Sequence, residues 1–373
     1  MFRKLERIAT TRSAGTVATI ALAAAALTAA PLAASAQPGG ADTSPGRGHV
    51  SHGKGHGYGH MRGHDDAAAA GIHVADGRLV EADGTDLVLR GINHAHAWYA
   101  DETPGALEGI KATGANSARI VLSSGDQWTK TDAAQVADIV EGCTANKLVC
   151  ILEVHDTTGY GDTAYAPDAV SLDAAVDYWE GLYDTLAGTE DRILINIGNE
   201  PYGNDTAADW SAGTSAAIQR LRDIGYEHAI VADAPNWGQD WSHTMYDQAA
   251  DVAAADPAGN TVFSVHMYGV YGQAATVTDY LERFVAAGLP LIVGEFGDTH
   301  SDGDVDEDAI LAETKRLGIG YLGWSWSGNG SGVEYLDIVN GFDASSPTAW
   351  GQRLIDGADG IRETSVEASV FAG

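Results

Sequence analysis

The chain has 373 residues, a net charge of −31 and only two cysteines. A field this negative repels nucleic acid, anionic lipid and acidic polymers, so the charge excludes these partners and favours a neutral substrate.

The first 36 residues predict a secretory signal peptide. A basic start precedes the apolar stretch 18–32, and Ala34-Ser35-Ala36 supplies the small residues of a cleavage site. Removing these residues takes away four basic residues and one acidic residue, which changes the net charge from −31 to −34. No later apolar run is long enough to span a bilayer, so we expect a secreted, extracellular protein with no membrane partner.

Residues 37–70 form a segment rich in histidine and glycine. Its histidines are His49, His52, His56, His60 and His64. The last four recur at intervals of four, but the intervening glycines disfavour a helix that would align them. The composition predicts a flexible leader that adsorbs metal weakly, and metal storage by this segment is the alternative.

The folded domain is predicted over residues 71–373. Asp76-Gly77 lies between two alternating runs, as in a hairpin, and Asp83-Gly84 predicts a second turn. The stretch 71–362 has about 290 residues, a usual length for one (β/α)8 barrel.

Eight apolar runs predict eight strands, and the segments between them predict helices. The predicted strands are 87–93, 117–122, 148–155, 193–199, 229–233, 261–267, 290–295 and 321–326. Helices are predicted at 133–145, 172–186, 211–224 and 309–317, among others. This alternation predicts an α/β fold, a (β/α)8 TIM barrel with a single catalytic domain. Cys143 and Cys150 lie at the end of one helix and the start of the next strand; the secreted context favours a disulfide over a buried free pair.

Two apolar runs end in glutamates. Residues 193–201 end in Asn199, Glu200 and Pro201, and residues 289–297 contain Glu295 between two glycines. Strands of one parallel barrel deliver their carboxyl ends to one face, so the two glutamates are expected to face each other across a cleft. Two carboxyl groups about 5 Å apart are the machinery of a retaining glycosidase.

The other predicted strand ends carry further polar and aromatic residues, and together they resemble glycoside hydrolase family 5. The matching segments are RIV at 119–121, EVHD at 153–156, NIGNEP at 196–201, FSVHMY at 263–268, IVGEFG at 292–297 and GWSWSGN at 323–329. The resemblance covers residues 71–362. Within the family, three segments (GINHAHAWY, ILEVHD and HMYGVY) resemble bacterial, particularly actinobacterial, endo-β-1,4-mannanases more than cellulases.

The resemblance implies that Glu200 is the acid/base and Glu295 the nucleophile. A cation at Arg119 and the phenol of Tyr268 would favour the ionised form of Glu295. The resemblance also implies that Asn199 donates to the sugar 2-hydroxyl.

His155 and His266 are expected to hold this network and the substrate in place, although core histidines are the alternative. Arg119 alone would fit a structural ion pair equally well. We expect no catalytic metal, because no HExxH spacing is present.

Tryptophans near the predicted strand ends suit a sugar ligand, because pyranose rings present apolar C–H faces to flat aromatic walls. Trp324 is the predicted platform under the reacting sugar, and Trp98 and Trp237 are further candidates for substrate contact. Trp326 fits either the cleft or the packing of the barrel.

An acidic cluster follows the second glutamate. Asp302, Asp304 and Asp306 have calcium-loop spacing, but Glu307 replaces the glycine that such a loop needs. A structural Ca²⁺ is one interpretation, and a helix start with acidic residues that offset its dipole is the favoured one.

These features predict a secreted, monomeric, retaining endo-β-1,4-mannanase that needs no cofactor and acts on mannan, galactomannan and glucomannan. The alternatives are an endo-β-1,4-glucanase of the same family and a non-catalytic carbohydrate-binding barrel.

Overall fold

The computed structural model describes residues 71–330 and 332–372, so the predicted signal peptide and leader lie outside the described residues. The strands are β1 (His73–Ala75), β2 (Arg78–Val80), β3 (Arg90–His94), β4 (Ser117–Leu122), β5 (Val149–Val154), β6 (Ile193–Asn196), β7 (Ile230–Asp233), β8 (Thr261–Met267), β9 (Leu291–Phe296), β10 (Thr299–His300), β11 (Gly303–Asp304) and β12 (Gly320–Gly323). Strands β3 to β9 and β12 form a closed parallel barrel of eight strands, which confirms the predicted TIM barrel.

Helices surround the barrel. They are α1 (Thr103–Ala112), α2 (Ala133–Ala145), α3 (Leu172–Glu180), α4 (Tyr183–Leu186), α5 (Trp210–Ile224), α6 (Thr244–Ala255), α7 (Ala274–Ala287), α8 (Glu307–Leu317), α9 (Ala349–Asp356) and α10 (Ile361–Thr364). The single helix predicted over 172–186 was wrong. Gly181 ends α3, and the chain restarts as α4, because glycine stabilises a helix interior poorly.

Side chains of the barrel strands alternate between two clusters. One apolar set packs outward against the helices, and the other, which includes Val149, Ile151 and Leu194, fills the interior. Ile72 and Leu79, from the hairpin region that precedes the barrel, belong to the interior cluster. The part of the barrel interior that these apolar side chains fill is therefore a packed core and not a channel.

The predicted turns and disulfide are confirmed. β1 and β2 pair antiparallel across Asp76-Gly77, both with positive φ as a two-residue hairpin turn requires. The N–H of Gly84 donates to the carbonyl of Glu81 at 2.8 Å, which closes the second turn. Cys143 in α2 and Cys150 in β5 are bonded to each other.

The acidic cluster opens a helix, as the favoured interpretation predicted. Asp306 caps α8 by accepting from the N–H of Ala309, and Glu307 and Asp308 occupy the first turn. Within the described residues, no helix is long and apolar enough to cross a membrane.

Candidate active site

A cleft of about 630 Å³ opens at the carboxyl ends of the barrel strands. Eight of the ten residues predicted for the site line it: Trp98, His155, Asn199, Glu200, Trp237, Tyr268, Glu295 and Trp324. The other two, Arg119 and His266, lie beneath the lining and are 1% and 0% exposed. These two side chains can therefore orient the residues of the cleft but cannot reach a sugar directly.

Polar residues lie between the apolar interior and the cleft, because they are the next inward-facing residues toward the carboxyl ends of the same strands. In β5, for example, Val149 and Ile151 face inward, and the next residue of that row is Glu153. In β4 the inward-facing polar residue is Arg119, which pairs in register with Ile151. The alternation of side chains along each strand thus delivers a buried polar layer just below the cleft.

The two glutamates approach each other on this layer. One carboxylate oxygen of Glu200, one of Glu295 and one ring nitrogen of His266 all lie within 4.8 Å of one another. A register shift between β8 and β9 contributes, because Val265 pairs with Val293 whereas His266 pairs with Glu295. The extra residue, Gly294, is a bulge that places Glu295 opposite His266.

Glu295 is held through both of its oxygens. Arg119 Nη1 donates to Oε1 at 2.7 Å, and the hydroxyl of Tyr268 donates to Oε2 at 2.9 Å. Burial raises the pKa of the Glu295 carboxyl, while the nearby cations His266 and Arg119 oppose that rise. Burial and the charge of Glu295 raise the pKa of Tyr268 well above its ordinary value, so its phenol remains a donor.

Arg119 organises the layer with all five of its N–H groups. Three of them go to side-chain amide oxygens, and two of these three acceptors are Asn93 and Asn196. Nη2 donates to Asn199 Oδ1 at 2.6 Å and to Asp233 Oδ2 at 3.2 Å. The fifth N–H, on Nη1, is the one that donates to Glu295 Oε1. Every donor of this buried guanidinium therefore has a protein acceptor.

His266 connects the second glutamate to the same layer. Its Nδ1 lies 2.8 Å from Glu200 Oε1, and its Nε2 lies 3.3 Å from Asp233 Oδ2. Burial alone would lower the pKa of His266, but the carboxylates of Glu295 and Asp233 outweigh it and raise that pKa to about 10. The imidazole is therefore charged at neutral pH. Burial would likewise raise the pKa of Asp233, but His266 and Arg119 lower it to about 2.

Two hydrogen bonds fix the orientation of the side-chain amide of Asn199. Its oxygen accepts from Arg119, and its Nδ2 donates to the hydroxyl of Thr158 at 2.8 Å. An amide has two N–H donors, so one remains for the cleft.

His155 is held between a carboxylate and an aromatic ring. Its Nδ1 lies 2.9 Å from Glu153 Oε1, and its ring stacks on Trp324 with centroids 5.8 Å apart. Burial would lower the pKa of His155, but Glu153 raises it above the ordinary value. The edge of Trp98 packs on the same imidazole, 5.2 Å away.

The tryptophans divide between cleft and core. Trp324 lines the cleft, donates from Nε1 to Asn329 Oδ1 at 2.9 Å, and precedes a cis peptide bond. Trp237 lines the cleft and donates to Asp162 Oδ2 at 2.8 Å. Trp326 is fully buried against α1 and belongs to the packing of the barrel.

The calcium interpretation of the acidic cluster finds no support in the described residues. Asp302 accepts from Gln239 and from the N–H of Gly269, and Asp306 is the helix cap. The one group of metal-ligand atoms within 4.8 Å of one another that the described part of the chain contains is the Glu200, His266 and Glu295 set.

Two charged residues of the site were missed by sequence reasoning. Asp233 ends β7 after an apolar run, the same signal that marked the two glutamates, and it contacts both Arg119 and His266. Glu153 was noted at a strand end, but no role was predicted for it as the partner of His155.

Comparisons with known proteins agree with this geometry. Residues 80–330 match the family described as cellulase, glycosyl hydrolase family 5. The chain is 57% identical over 316 residues to a mannan endo-1,4-beta-mannosidase of Streptomyces lividans, covering 84% of this chain and 81% of that protein. It is 46% identical over 308 residues to the enzyme of the same name from Cellvibrio japonicus, covering 82% and 71%. The fold matches a Thermomonospora fusca beta-mannanase in complex with mannohexaose with a TM-score of 0.78, 56% identity, and coverage of 81% of this chain and 99% of that chain.

Proposed function

This chain belongs to glycosyl hydrolase family 5, and we propose that it is a secreted, monomeric endo-β-1,4-mannanase that hydrolyses mannan, galactomannan and glucomannan with retention of configuration. The proposal is carried by one observation. The carboxyl groups of Glu200 and Glu295 share one cleft, with oxygens inside the 4.8 Å group described above. Retaining glycosidases hold their two carboxyl groups about 5 Å apart, whereas inverting enzymes need about 6.5–9.5 Å to admit a water.

In the first step, a carboxylate oxygen of Glu295 attacks the anomeric carbon. The bond to the glycosidic oxygen breaks as Glu200 transfers its proton to that oxygen, and the shortened chain leaves as an alcohol. A covalent glycosyl-enzyme ester on Glu295 remains.

In the second step, Glu200 takes a proton from water, and the resulting oxygen attacks the same anomeric carbon. The ester bond breaks, Glu295 is again a carboxylate, and the sugar is released with its original configuration. The two glutamates and water complete the reaction without a cofactor.

The residues around the glutamates are assigned supporting roles. Asn199 presents a free N–H to the 2-hydroxyl of the reacting sugar, and Trp324 supplies its flat platform. Trp98, Trp237 and His155 contact the neighbouring sugars. Arg119 and His266 act beneath the cleft by orienting the acids, because both side chains are buried below its lining. Both were predicted from the sequence as substrate-binding residues, and this role replaces that prediction.

The preference for mannan is inferred from the relatives, because the mannanases of Streptomyces lividans and Cellvibrio japonicus share about half of their residues with this chain. The negative charge of the chain also favours a neutral polysaccharide. Release of reducing sugar from galactomannan and from carboxymethyl cellulose tests the preference. Dominant activity on cellulose would favour the endoglucanase alternative.

Variants of the two glutamates test the mechanism. Glu295→Gln is expected to abolish turnover of all substrates, because no nucleophile remains. Glu200→Gln is expected to abolish mannan hydrolysis while still forming the glycosyl-enzyme from a 2,4-dinitrophenyl mannobioside, whose leaving group needs no proton. Glu227→Gln is the matched control, since Glu227 is exposed on the loop before β7, at the opposite end of the barrel. Full activity of both active-site variants would contradict the roles assigned to the two glutamates, whereas a wild-type protein without turnover would favour the non-catalytic carbohydrate-binding alternative.

A further inference from the structure

A buried carboxylate outside the catalytic pair connects three loops of the cleft. Asp162 lies in the loop after β5 and is only 3% exposed. Its Oδ1 accepts from the backbone N–H of Asp205 at 2.7 Å, and its Oδ2 accepts from the N–H of Asn204 and from Trp237 Nε1, both at 2.8 Å. Asn204 and Asp205 follow β6, and Trp237 follows β7. No lysine, arginine or histidine of the described residues forms a salt bridge with Asp162, so these three N–H groups are what stabilise its charge.

The sequence around this carboxylate permits an unusually close approach of the loops. A Cβ on Gly203 would lie 2.4 Å from the carboxyl carbon of Asp162. A Cβ on Gly159 would lie 2.5 Å from the ring of Trp237, and Gly159 also has a positive φ of 71°. Any side chain at either position would push the loops apart. The glycines therefore serve the contact between Asp162 and its donors.

The loop that Asp162 holds begins at the proposed acid. Glu200 has a φ of 40° and Tyr202 a φ of 61°, in the left-handed region that non-glycine residues seldom occupy. Such a conformation costs of order 1–3 kcal/mol per residue and persists only where surrounding contacts fix it. The Asp162 loop supplies two of those contacts: the N–H of Gly159 donates to the carbonyl of Glu200 at 3.0 Å, and the N–H of Gly203 donates to the carbonyl of Tyr160 at 2.8 Å.

We infer that Asp162 is a positioning residue for proton donation, because its carboxylate fixes the backbone of the Glu200 loop through the N–H groups of Asn204 and Asp205. Through Trp237 it also aligns one wall of the cleft with that acid. The inference rests on the proposed function, since it takes Glu200 as the general acid. Asp162 itself does not line the cleft and does not touch the substrate.

A displaced acid has a specific kinetic signature. Protonation matters most when the leaving group is a poor one, so a misplaced Glu200 slows cleavage of a sugar–sugar bond much more than cleavage of a dinitrophenyl glycoside. A purely structural role of Asp162 would instead reduce the amount of folded protein and affect both substrates equally.

The test compares two variants and a matched control by kcat/KM per folded molecule. Asp162→Asn replaces one acceptor oxygen by an amide NH₂ group, which cannot accept a hydrogen bond from the backbone N–H groups. Gly203→Ala keeps the carboxylate but forces the loops apart. Both are expected to lose activity on mannohexaose on the order of 10- to 100-fold. Both should stay close to wild type on 2,4-dinitrophenyl mannobioside. Asp205→Asn, which removes an exposed charge from the same loop but leaves its backbone N–H, should match wild type on both substrates.

Equal losses on both substrates, or wild-type rates on mannohexaose, would overturn the inference, and so would a comparable loss in Asp205→Asn. Thermal melting establishes which variants fold, and Gly203→Ala carries the test if Asp162→Asn does not fold. A failure of the proposed function is recognised separately, because the wild-type protein would then cleave neither substrate.

Discussion

Replacing Arg119 tests whether a buried cation keeps Glu295, the proposed nucleophile, ionised. Arg119 Nη1 lies 2.7 Å from Glu295 Oε1, and Nη2 lies 3.2 Å from Asp233 Oδ2, with these side chains 5% exposed or less. Breaking a buried ion pair by removing one partner costs about 3–5 kcal/mol of folding free energy. Arg119 faces more than one carboxylate, so we expect Arg119→Met to fall at the upper end of that range.

The same change has a predicted effect on the pH dependence of activity. Arg119 lowers the pKa of Glu295, so its removal raises that pKa further. The acidic limb of kcat/KM is then expected to move to higher pH in Arg119→Met, because a protonated nucleophile cannot attack. Arg119→Lys retains the charge and should leave the limb in place. It loses two of the five hydrogen bonds, which costs about 3 kcal/mol at about 1.5 kcal/mol for each charge-assisted bond.

The assay measures kcat/KM for mannohexaose between pH 4 and 9 for the wild type and both variants, with chemical denaturation for stability. Circular dichroism establishes that each variant is folded at the assay temperature. An acidic limb of folded Arg119→Met that coincides with the wild type would refute the reasoning. An equal shift of the acidic limb in Arg119→Lys would also refute it, because the shift would then arise from the lost hydrogen-bond geometry and not from the lost charge.

Four further outcomes follow from single features. Replacing Cys143 and Cys150 by serine opens a bridge between residues seven positions apart, and chain entropy predicts a loss of about 2.5 kcal/mol in denaturation with kcat unchanged. The pKa of His266 is raised to about 10, so its contribution to stability is complete below pH 6.5 and is lost as the pH rises through 10; His266→Gln should flatten that decline. Burial raises the pKa of Asp240 to about 7, so the protein should lose stability as the pH rises from about 3.8 to 7, and Asp240→Asn should remove that slope. Trp324→Ala should cost about 2 kcal/mol of affinity for mannohexaose, measured by calorimetry in the inactive Glu295→Gln background, because it removes the proposed platform for the sugar.

The sequence predicted the barrel well because its strands are short, predominantly apolar runs. The runs 117–122 and 261–267 coincide with β4 and β8, since both faces of such strands are buried and polar residues bound them. The strand predicted over 193–199 extends three residues too far. Its last residues, Ile197 to Asn199, are as buried as a strand, and the N–H groups of Ile197 and Asn199 still donate to the neighbouring strands, but they lie beyond the end of β6, where the chain forms the site.

The connections among the site residues were harder to predict, because they depend on the closure of the barrel. Arg119 and Asn199 are 80 positions apart yet hydrogen-bonded, and no local pattern reveals this contact. The bulge at Gly294 places Glu295 opposite His266, and it too depends on the register between neighbouring strands, which a single strand's sequence does not reveal. Full burial of Arg119, which removes it from the cleft surface, also follows only from the completed barrel.

The balance of buried charge explains how one cluster serves both steps of the proposed reaction. Glu153 lies 3.7 Å from Arg119 but is hydrogen-bonded to His155 at 2.9 Å. Apart from that pair, Arg119 and His266 provide two positive charges beside Asp233, Glu295 and Glu200, so these five groups are neutral together only when one carboxyl group carries a proton. Asp233 is ionised, with a pKa of about 2, and the proposed first step requires an ionised Glu295 beside Arg119 and a proton on Glu200. Because His266 contacts Oε1 of Glu200, Oε2 is left to carry that proton to the leaving group. Once Glu295 is esterified and its charge is gone, the same two cations are balanced by Asp233 and an ionised Glu200. That is the form which must deprotonate water, so the cluster stays neutral in both steps and Glu200 changes from acid to base without a rearrangement of the layer beneath it.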